Sequence, residues 1–243
     1  TAFFYPSRDI SFADIQAQSR DYEQQRLGVL MNMVKNKYDI VVCSVEAAMQ
    51  KTLPPQELKS RSITLKQNDD ISVEQLVSAL LKAGYSRSHA VEGAGQFSTR
   101  GGIIDFFPPH RDLPIRIELW GDTVDTMAEF DVETQRRGKN IKKITITPSS
   151  EILFDSPEEM ASKIENFAQS LKGKASQNAK QKLVEDAKQI STGTKTLSAD
   201  KYLSLAYEKS ATIFDYLKDG QLFVCESRSV KEKSISTTKL MQE

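Results

Sequence analysis

The sequence predicts a mixed fold, with an α/β part, an α+β part that contains an antiparallel sheet, and a helical part. Three observations support this prediction. Residues 39–44, DIVVCS, form a continuous apolar run that is typical of buried parallel strands. Residues 96–131 contain three strand-like runs separated by turn residues at Pro108-Pro109 and Gly121-Asp122. From Pro157 onward, apolar residues recur with a helical period.

Residues 1–68 are predicted to form a partial α/β lobe. A strand that ends near Tyr5 precedes the apolar strand of residues 39–44. Between them lies a helix whose apolar residues recur at helical spacing: Leu27, Leu30, Met31 and Val34. Residues 45–49 are expected to open another short helix, so the order read from the sequence is helix, strand, helix.

Residues 69–148 are predicted to form a helix followed by an antiparallel meander. Ser72 and Gln75 have the spacing of a capping box, and Gly84 suits the left-handed position that ends a helix. The two-residue Gly121-Asp122 link suits a tight hairpin, because glycine adopts a positive φ without steric cost. We therefore expect a compact antiparallel sheet.

The strands of this meander carry charge on one face. Side chains alternate along a strand, so Arg116 and Glu118 share one face while the apolar residues of that strand share the other. One interpretation is an ordinary solvated face. The other is a protein-docking face that includes Arg100, because arginine and aromatic residues dominate interface hot spots. Asp105, inside an apolar run, is expected to pair with a backbone amide or a nearby arginine.

Residues 149–243 are predicted to form a helical subdomain and one further strand. Two helices carry apolar stripes that include Ile164 and Ala187. Their lysine-rich faces are interpreted as solvated surface, with non-specific DNA binding over residues 157–218 as the alternative. Residues 221–226, QLFVCE, are predicted to be a buried strand that returns to the first lobe.

Composition narrows the classes of function. The 243 residues include 33 basic and 33 acidic side chains, so whole-chain charge gives no argument for nucleic-acid binding. Cys43 and Cys225 lie in apolar runs, which suits buried thiols in a reducing cytoplasm better than a disulfide scaffold or a metal site. No apolar run is long enough to predict a membrane span. Because it begins with Thr1, the chain is interpreted as a fragment of a longer protein.

Motifs for catalysis are missing from the sequence. A nucleotide-hydrolysing loop needs glycines that lead directly to Lys and then Ser or Thr. Neither Gly93-Ala94-Gly95 nor the run TGTKT at residues 192–196 has that order. No pattern of Ser, Cys and His predicts a nucleophile, so no catalytic residue and no metal ligand is assigned.

One long pattern resembles a known family. It runs from Tyr85-Ser86-Arg87 through QFSTRGGIIDFFP at residues 96–108 and IRIELWGD at residues 115–122 to Phe130-Asp131. This pattern resembles the UvrA-binding domain shared by UvrB and the transcription-repair coupling factors. The same resemblance makes the run YDIVVCSVEAAM, residues 38–49, part of a degenerate, helicase-like ATPase lobe in which the antiparallel domain is inserted.

The resemblance implies that the inserted domain binds UvrA. Carried over onto this chain, the contacts are Arg87 and Arg100 as charged anchors, Phe107 as an aromatic contact and Glu118 as a counter-charge. Charge-assisted and bidentate hydrogen bonds would make the arginines specific as well as strong. UvrB has a further arginine two residues before its Arg-Gly pair, and this chain has Ser98 there, which implies a weaker or differently distributed contact.

The resemblance also bears on nucleotide chemistry. Residues 222–228, LFVCESR, resemble the second nucleotide motif of UvrB, with Cys225 before Glu226 where that motif has aspartate. A thiol is a poor ligand for magnesium, so hydrolysis is expected to be lost. We expect no cofactor for this chain, and ATP and magnesium only in a downstream motor of the parent protein. The short segment after Pro6 leaves no room for the DNA-gripping hairpin of UvrB.

These observations predict a non-catalytic module of a cytoplasmic protein. It would recruit UvrA so that nucleotide excision repair acts at stalled RNA polymerase. RNA polymerase and DNA are expected to bind other domains of the parent protein, an ATP-dependent DNA translocase, and no membrane partner is expected. The alternative is a fragment of a true UvrB-type, DNA-dependent ATPase that verifies DNA damage.

Overall fold

The computed structural model describes residues 1–8, 20–173, 176–192 and 199–242. The strands in these ranges are β1 Ala2–Tyr5, β2 Ile40–Cys43, β3 Ile63–Lys66, β4 Ser86–Arg87, β5 Gln96–Arg100, β6 Ile103–Phe106, β7 Ile115–Trp120, β8 Thr123–Phe130, β9 Arg137–Asn140 and β10 Lys143–Ile146. The helices are α1 Asp21–Val34, α2 Val45–Met49, α3 Pro55–Ser60, α4 Val73–Lys82, α5 Pro157–Ser170, α6 Gln177–Ser191, α7 Leu203–Ala206 and α8 Ser227–Gln242. The predicted mixture of helices and antiparallel sheets is confirmed.

The first lobe is built on a parallel pair of strands. β1 lies beside β2, with Ala2 opposite Ile40 and Tyr5 opposite Cys43, and α1 connects the two strands in sequence. Apolar residues of α1 are buried together with side chains from distant parts of the chain, including Tyr5, Leu53, Leu203 and Tyr216. The segment expected to be too short for a DNA-gripping hairpin includes residues 9–19, which lie outside the described residues.

Six strands form the main sheet, in the order β4-β5-β6-β7-β8-β9. All neighbours are antiparallel except β4 and β5, which are parallel. Helix α4 begins with the predicted capping box, in which the Ser72 side chain accepts from the Gln75 amide and the Gln75 side chain accepts from the Ser72 amide. Leu76 and Leu80 of α4 are fully buried in one cluster with the apolar residues of the sheet.

The predicted first strand of the meander, residues 96–107, is two strands. The chain reverses at Gly101 and Gly102, so that Arg100 of β5 lies opposite Ile103 of β6. Gly101 has a φ of +59°, and a Cβ atom on Gly102 would lie 2.9 Å from the carbonyl oxygen of Leu119. Both positions therefore need glycine, one for its backbone angle and the other for the close approach of β7. The predicted single strand was wrong because two adjacent glycines were taken as strand residues.

A second, two-stranded ladder closes this part of the chain. β3 and β10 are antiparallel, with Ile63 opposite Ile146 and Lys66 opposite Lys143. Although β3 precedes the predicted domain boundary at residue 68, its Leu65 is buried in the same cluster as the sheet residues. The two ends of the segment from β3 to β10 therefore lie side by side.

The helices after residue 156 pack against each other. Met160 and Ile164 of α5 are buried together with Ala187 and Ile190 of α6, as their helical spacing predicts. Phe167 of α5 is 44% exposed and therefore contributes less to this contact. None of the helices in the described ranges is both long enough and apolar enough to cross a membrane.

The predicted buried strand at residues 221–226 was wrong. This segment has no regular secondary structure, and its Leu222, Phe223 and Val224 are 64%, 80% and 55% exposed. Glu226 has a φ of +53°, which turns the chain out of an extended path directly into α8. An apolar run forms a strand only where a neighbouring strand supplies hydrogen bonds, and the β1-β2 pair is not extended by this segment.

Candidate functional site

The six-stranded sheet has one buried face and one face that points away from α4. The buried face carries Phe97, Ile104, Phe106, Ile115 and Ile117, all fully buried. Alternation along β5, β6 and β7 places the intervening residues on the opposite side. We call this second side the outer face, and its residues on these three strands are Gln96, Ser98, Arg100, Ile103, Asp105, Arg116, Glu118 and Trp120.

Asp105 lies at the centre of the outer face and is 2% exposed. Its carboxylate accepts from the Nε and Nη2 atoms of Arg116 at 2.7 and 2.8 Å, and from the Nη2 atom of Arg100 at 3.0 Å. The strand register explains the first pair, because Asp105 is directly opposite Arg116. The expectation that Asp105 pairs with a nearby arginine is confirmed. One carboxylate therefore orients two guanidinium groups.

The two arginines differ in exposure. The Arg116 side chain is 15% exposed, and its guanidinium lies over the ring of Phe130 at 4.7 Å from the centroid. The Arg100 side chain is 60% exposed although it donates to the same carboxylate. Arg116 is thus packed into the sheet, whereas Arg100 is held at one point and presents the rest of its guanidinium to solvent.

Glu118 and Phe107 also lie on the outer side. Glu118 accepts from Nη1 of Arg137 at 2.7 Å, and about one third of each side chain is exposed. Phe107 follows β6, and its amide donates to the Gln96 carbonyl at 3.0 Å, which continues the pairing of β5 with β6. Its side chain is partly buried. The structure thus brings Arg100, Phe107 and Glu118 to one side of the sheet.

Arg87 is not on that side. In the parallel pairing of β4 with β5, Arg87 lies opposite Phe97, whose side chain belongs to the buried face. The Arg87 guanidinium donates to the Thr99 hydroxyl and lies 6.0 Å from the centroid of the Phe97 ring. Arg87 is exposed at the β4 edge of the sheet. The four residues assigned from the resemblance therefore do not share one face, and the register places Arg100 and Phe107 near opposite ends of β5.

Three large side chains next to the assigned residues were not themselves assigned to the site from the sequence. Arg116, Trp120 and Arg137 lie beside those that were, and Trp120 is 84% exposed where β7 meets the Gly121-Asp122 turn. The sequence could have indicated Arg116 and Trp120, because side chains alternate along a strand and residues 116, 118 and 120 therefore share one face. Arg137 could not be found in this way, since its approach to Glu118 depends on how the chain returns through β9.

Comparison with known proteins identifies a family match for the segment that contains the six-stranded sheet. The sequence profile of the family described as "UvrB interaction domain" matches residues 63–152, which include the whole six-stranded sheet. The chain is 33% identical over 261 residues to the transcription-repair-coupling factor of Bacillus subtilis (strain 168), with 100% of the chain and 22% of that relative covered. The chain belongs to the transcription-repair-coupling factor family.

Other members of the transcription-repair-coupling factor family give the same result. The proteins of Staphylococcus haemolyticus (strain JCSC1435) and Staphylococcus aureus (strain MRSA252) are 31% and 32% identical to the chain, in each case over 96% of the chain and 20% of the relative. The chain therefore spans about one fifth of the length of these transcription-repair-coupling factors.

In this member of the family, a buried ion network joins the UvrB interaction domain to the first lobe. Glu151, just after β10, is 0% exposed and accepts from Nε of Arg26 of α1 at 2.7 Å. Arg8 lies 3.0 Å from the other carboxylate oxygen. The Arg26 guanidinium also donates to the Pro6 carbonyl at 2.9 Å and lies over the Tyr5 ring at 4.2 Å. The exit from the interaction domain is thereby fixed to α1.

Glu23 of α1 reinforces this connection. Its carboxylate accepts from the Ser150 hydroxyl at 2.9 Å and from the Glu151 amide at 2.7 Å. Burial alone would raise the pKa of this carboxyl, but the charge of Arg20 and these hydrogen bonds outweigh burial and hold the pKa below its ordinary value. A charged Glu23 therefore stabilises the junction.

The degenerate nucleotide motif does not fit a magnesium ion. Cys225 and Glu226 are exposed in the irregular segment before α8, and the pair offers one thiol and one carboxylate. Magnesium requires several oxygen ligands in an octahedral arrangement. Within the described ranges, no group of three or more His, Cys, Asp or Glu side chains is arranged to hold a metal ion.

Proposed function

We propose that this chain recruits UvrA through the outer face of its six-stranded sheet, as the UvrA-binding module of a transcription-repair coupling factor. The observation that carries the proposal is the match of residues 63–152 to the UvrB interaction domain, because this segment contains the whole outer face. In this role the chain is not catalytic. It brings UvrA to stalled RNA polymerase, while polymerase, ATP and magnesium bind other parts of the full-length protein.

Arg100 is the central contact in this proposal. Its single hydrogen bond to Asp105 restricts the side chain while 60% of it stays exposed, so less conformational freedom is lost when a partner binds. A carboxylate of UvrA can accept two parallel hydrogen bonds from such a guanidinium. Phe107 and Glu118 would flank this contact with an aromatic surface and a negative charge.

Arg87 is assigned to the rim of the same interface. It is exposed at the β4 edge, and Thr99 and Phe97 orient it on the other side of the sheet. A partner that covers the β4 edge of the sheet can contact Arg100 of the neighbouring strand β5 from the outer face and Arg87 around that edge. Since rim residues contribute less than central ones, loss of Arg87 should weaken binding less than loss of Arg100.

The test is a calorimetric titration of the chain with purified UvrA at two salt concentrations. Arg100→Ala should weaken binding by about 2 kcal/mol or more, because a central arginine is removed. Arg228→Ala is the matched control, because Arg228 is a 93% exposed arginine of α8 that forms only a local pair with Glu232. Equal affinity of Arg100→Ala and wild type would refute the assignment of the outer face.

We further infer that the first lobe is a helicase-like lobe that no longer hydrolyses ATP. The parallel β1-β2 pair joined through α1 supports the first part, and the thiol of Cys225 supports the second. The competing function is that of a UvrB-type ATPase that verifies DNA damage. Such an enzyme hydrolyses ATP, and DNA increases the rate at which phosphate is released. A phosphate-release assay of the chain with ATP, magnesium and DNA distinguishes the two, since turnover above background would favour the ATPase.

A further inference from the structure

Away from the outer face, four exposed lysines gather from three segments of the chain. Lys35 and Lys37 follow the last turn of α1, and Lys66 and Lys143 are direct partners in the β3-β10 ladder. Directly opposed like charges destabilise a strand pair. We call these four residues the lysine patch. The sequence positions are far apart, so only the fold brings them together.

Packing brings the two halves of the patch together. A Cβ atom on Gly28 of α1 would lie 3.6 Å from the Cα atom of His110, and the His110 ring lies 3.1 Å from the hydroxyl of Thr147, which directly follows β10. Burial, and then the charges of Lys37, Arg111 and Lys143, lower the pKa of Lys35 below its ordinary value. The loop that carries Arg111 packs tightly on α1, since a Cβ atom on Gly28 would lie 3.4 Å from the carbonyl oxygen of Pro109. The four lysines therefore lie on neighbouring elements of one region of the fold.

Acidic groups near the lysine patch are engaged elsewhere. Glu129 forms an ion pair with Arg111, Asp69 accepts from the Lys66 amide, and Asp39 pairs with the amino group of Thr1. Among the ion pairs of the described residues, none includes a lysine of the patch. The ammonium groups of the patch therefore have no carboxylate partner among these ion pairs and are accessible to an external anion.

We propose that the lysine patch binds the phosphate backbone of duplex DNA. Lysine presents a strongly hydrated point charge, which suits sequence-independent contacts with phosphates. Interfaces between proteins are instead depleted of lysine and enriched in arginine and aromatic residues. Phosphates spaced along a duplex can contact cations that are contributed by separate segments, which is the arrangement of this patch.

The patch is separate from the surface proposed for UvrA. Lys66 and Lys143 belong to the two-stranded ladder, whereas Arg100 and Glu118 belong to the six-stranded sheet. Substitutions in the patch should therefore leave UvrA binding unchanged. DNA binding by the patch does not depend on the proposed UvrA contact. An experiment can therefore refute the DNA site without refuting the UvrA site, and the reverse.

The test is fluorescence anisotropy of a labelled duplex of mixed sequence, titrated with the whole chain at about 50 mM and about 200 mM salt. The variant combines Lys35→Ala, Lys37→Ala and Lys143→Ala. It should weaken binding at least about tenfold at the lower salt and reduce the slope of log K against log salt by about 2 to 3, because each phosphate contact contributes about 0.9.

The matched control removes three exposed lysines from the region after residue 156, by Lys163→Ala, Lys188→Ala and Lys218→Ala. It carries the same net charge as the patch variant and should bind DNA within about twofold of wild type if the patch is the site. Equal weakening of both variants, or no saturable binding by wild type at low salt, would overturn the proposal. A third variant with arginine at the three patch positions should retain binding, which excludes misfolding as the cause of the loss.

Discussion

Asp105 and Arg116 face each other across β6 and β7, and the guanidinium donates two hydrogen bonds to the carboxylate, at 2.7 and 2.8 Å. The same carboxylate also accepts from Arg100. Because Asp105 is almost completely buried beneath these two cations, it determines how both are presented on the outer face. The orientation of the exposed arginine therefore depends on a buried residue.

Asp105→Asn should lower both stability and affinity for UvrA. The amide keeps the shape of the side chain but loses the negative charge that two arginines share, so we expect about 1 to 3 kcal/mol less unfolding free energy. Urea unfolding measures this loss, and calorimetry with UvrA measures the change in affinity. Asp112→Asn, at an exposed position, is the control. Wild-type stability in Asp105→Asn would contradict the role of Asp105.

Trp120→Ala should weaken UvrA binding without lowering stability. Trp120 is 84% exposed on the outer face, so its removal takes little from the core. Exposed tryptophans at interfaces are often hot spots, which predicts a loss of about 2 kcal/mol in binding. Phe223→Ala removes an aromatic that is 80% exposed outside the interaction domain, and it should have no effect. Similar losses for the two variants would mean that Trp120 is not a specific contact.

Glu151→Gln should be strongly destabilising. The substitution leaves Arg26 buried without a charged partner, which costs about 3 to 5 kcal/mol in comparable buried pairs. Denaturant unfolding monitored by circular dichroism measures the loss. Glu165→Gln, an exposed position on α5, provides the comparison. A loss below about 1 kcal/mol would show that the junction does not depend on this charge.

His110 should make stability depend on pH. Burial, and then the charges of Lys35, Arg111 and Lys37, lower the pKa of its imidazole to about 3. Below the ordinary pKa of about 6.5 the unfolded chain therefore binds a proton that the folded chain does not, so stability is complete above that pH and falls as the pH decreases. Between about pH 7.5 and about pH 5 the loss should be about 2 kcal/mol.

Urea unfolding at these two pH values tests the role of His110. His110→Gln should remove most of the pH dependence, since glutamine does not titrate. His89→Gln, at an exposed position, should retain it. The assignment fails if both variants keep the wild-type dependence on pH.

Local features could be predicted from the sequence because their causes are local. The capping box of Ser72 and Gln75 depends on residues three positions apart, and the positive φ values of Gly84 and Gly121 depend on the absence of a side chain. The shared face of Arg116 and Glu118 likewise follows from alternation along one strand. In each case the interacting groups lie within a few residues of each other.

Features that depend on distant pairing were missed. The position of Arg87 follows from the parallel pairing of β4 with β5, which no local pattern specifies. The run at residues 221–226 has the composition of a strand, but composition does not tell whether another strand lies beside it. The turn at Gly101 and Gly102 was visible as two adjacent glycines, but the need for the second one depends on the close approach of Leu119 from β7.

The direct pairing of Ile63 with Ile146 has a consequence for how such a domain can be exchanged between proteins. Its entry and exit points are separated by about 5 Å, the distance between neighbouring strands. A host chain can therefore accept or lose the whole segment at a single surface loop without moving its own flanking residues. The chain connections of such a segment are portable, and the demand on a new host is confined to partners such as Arg26, which Glu151 requires at the exit.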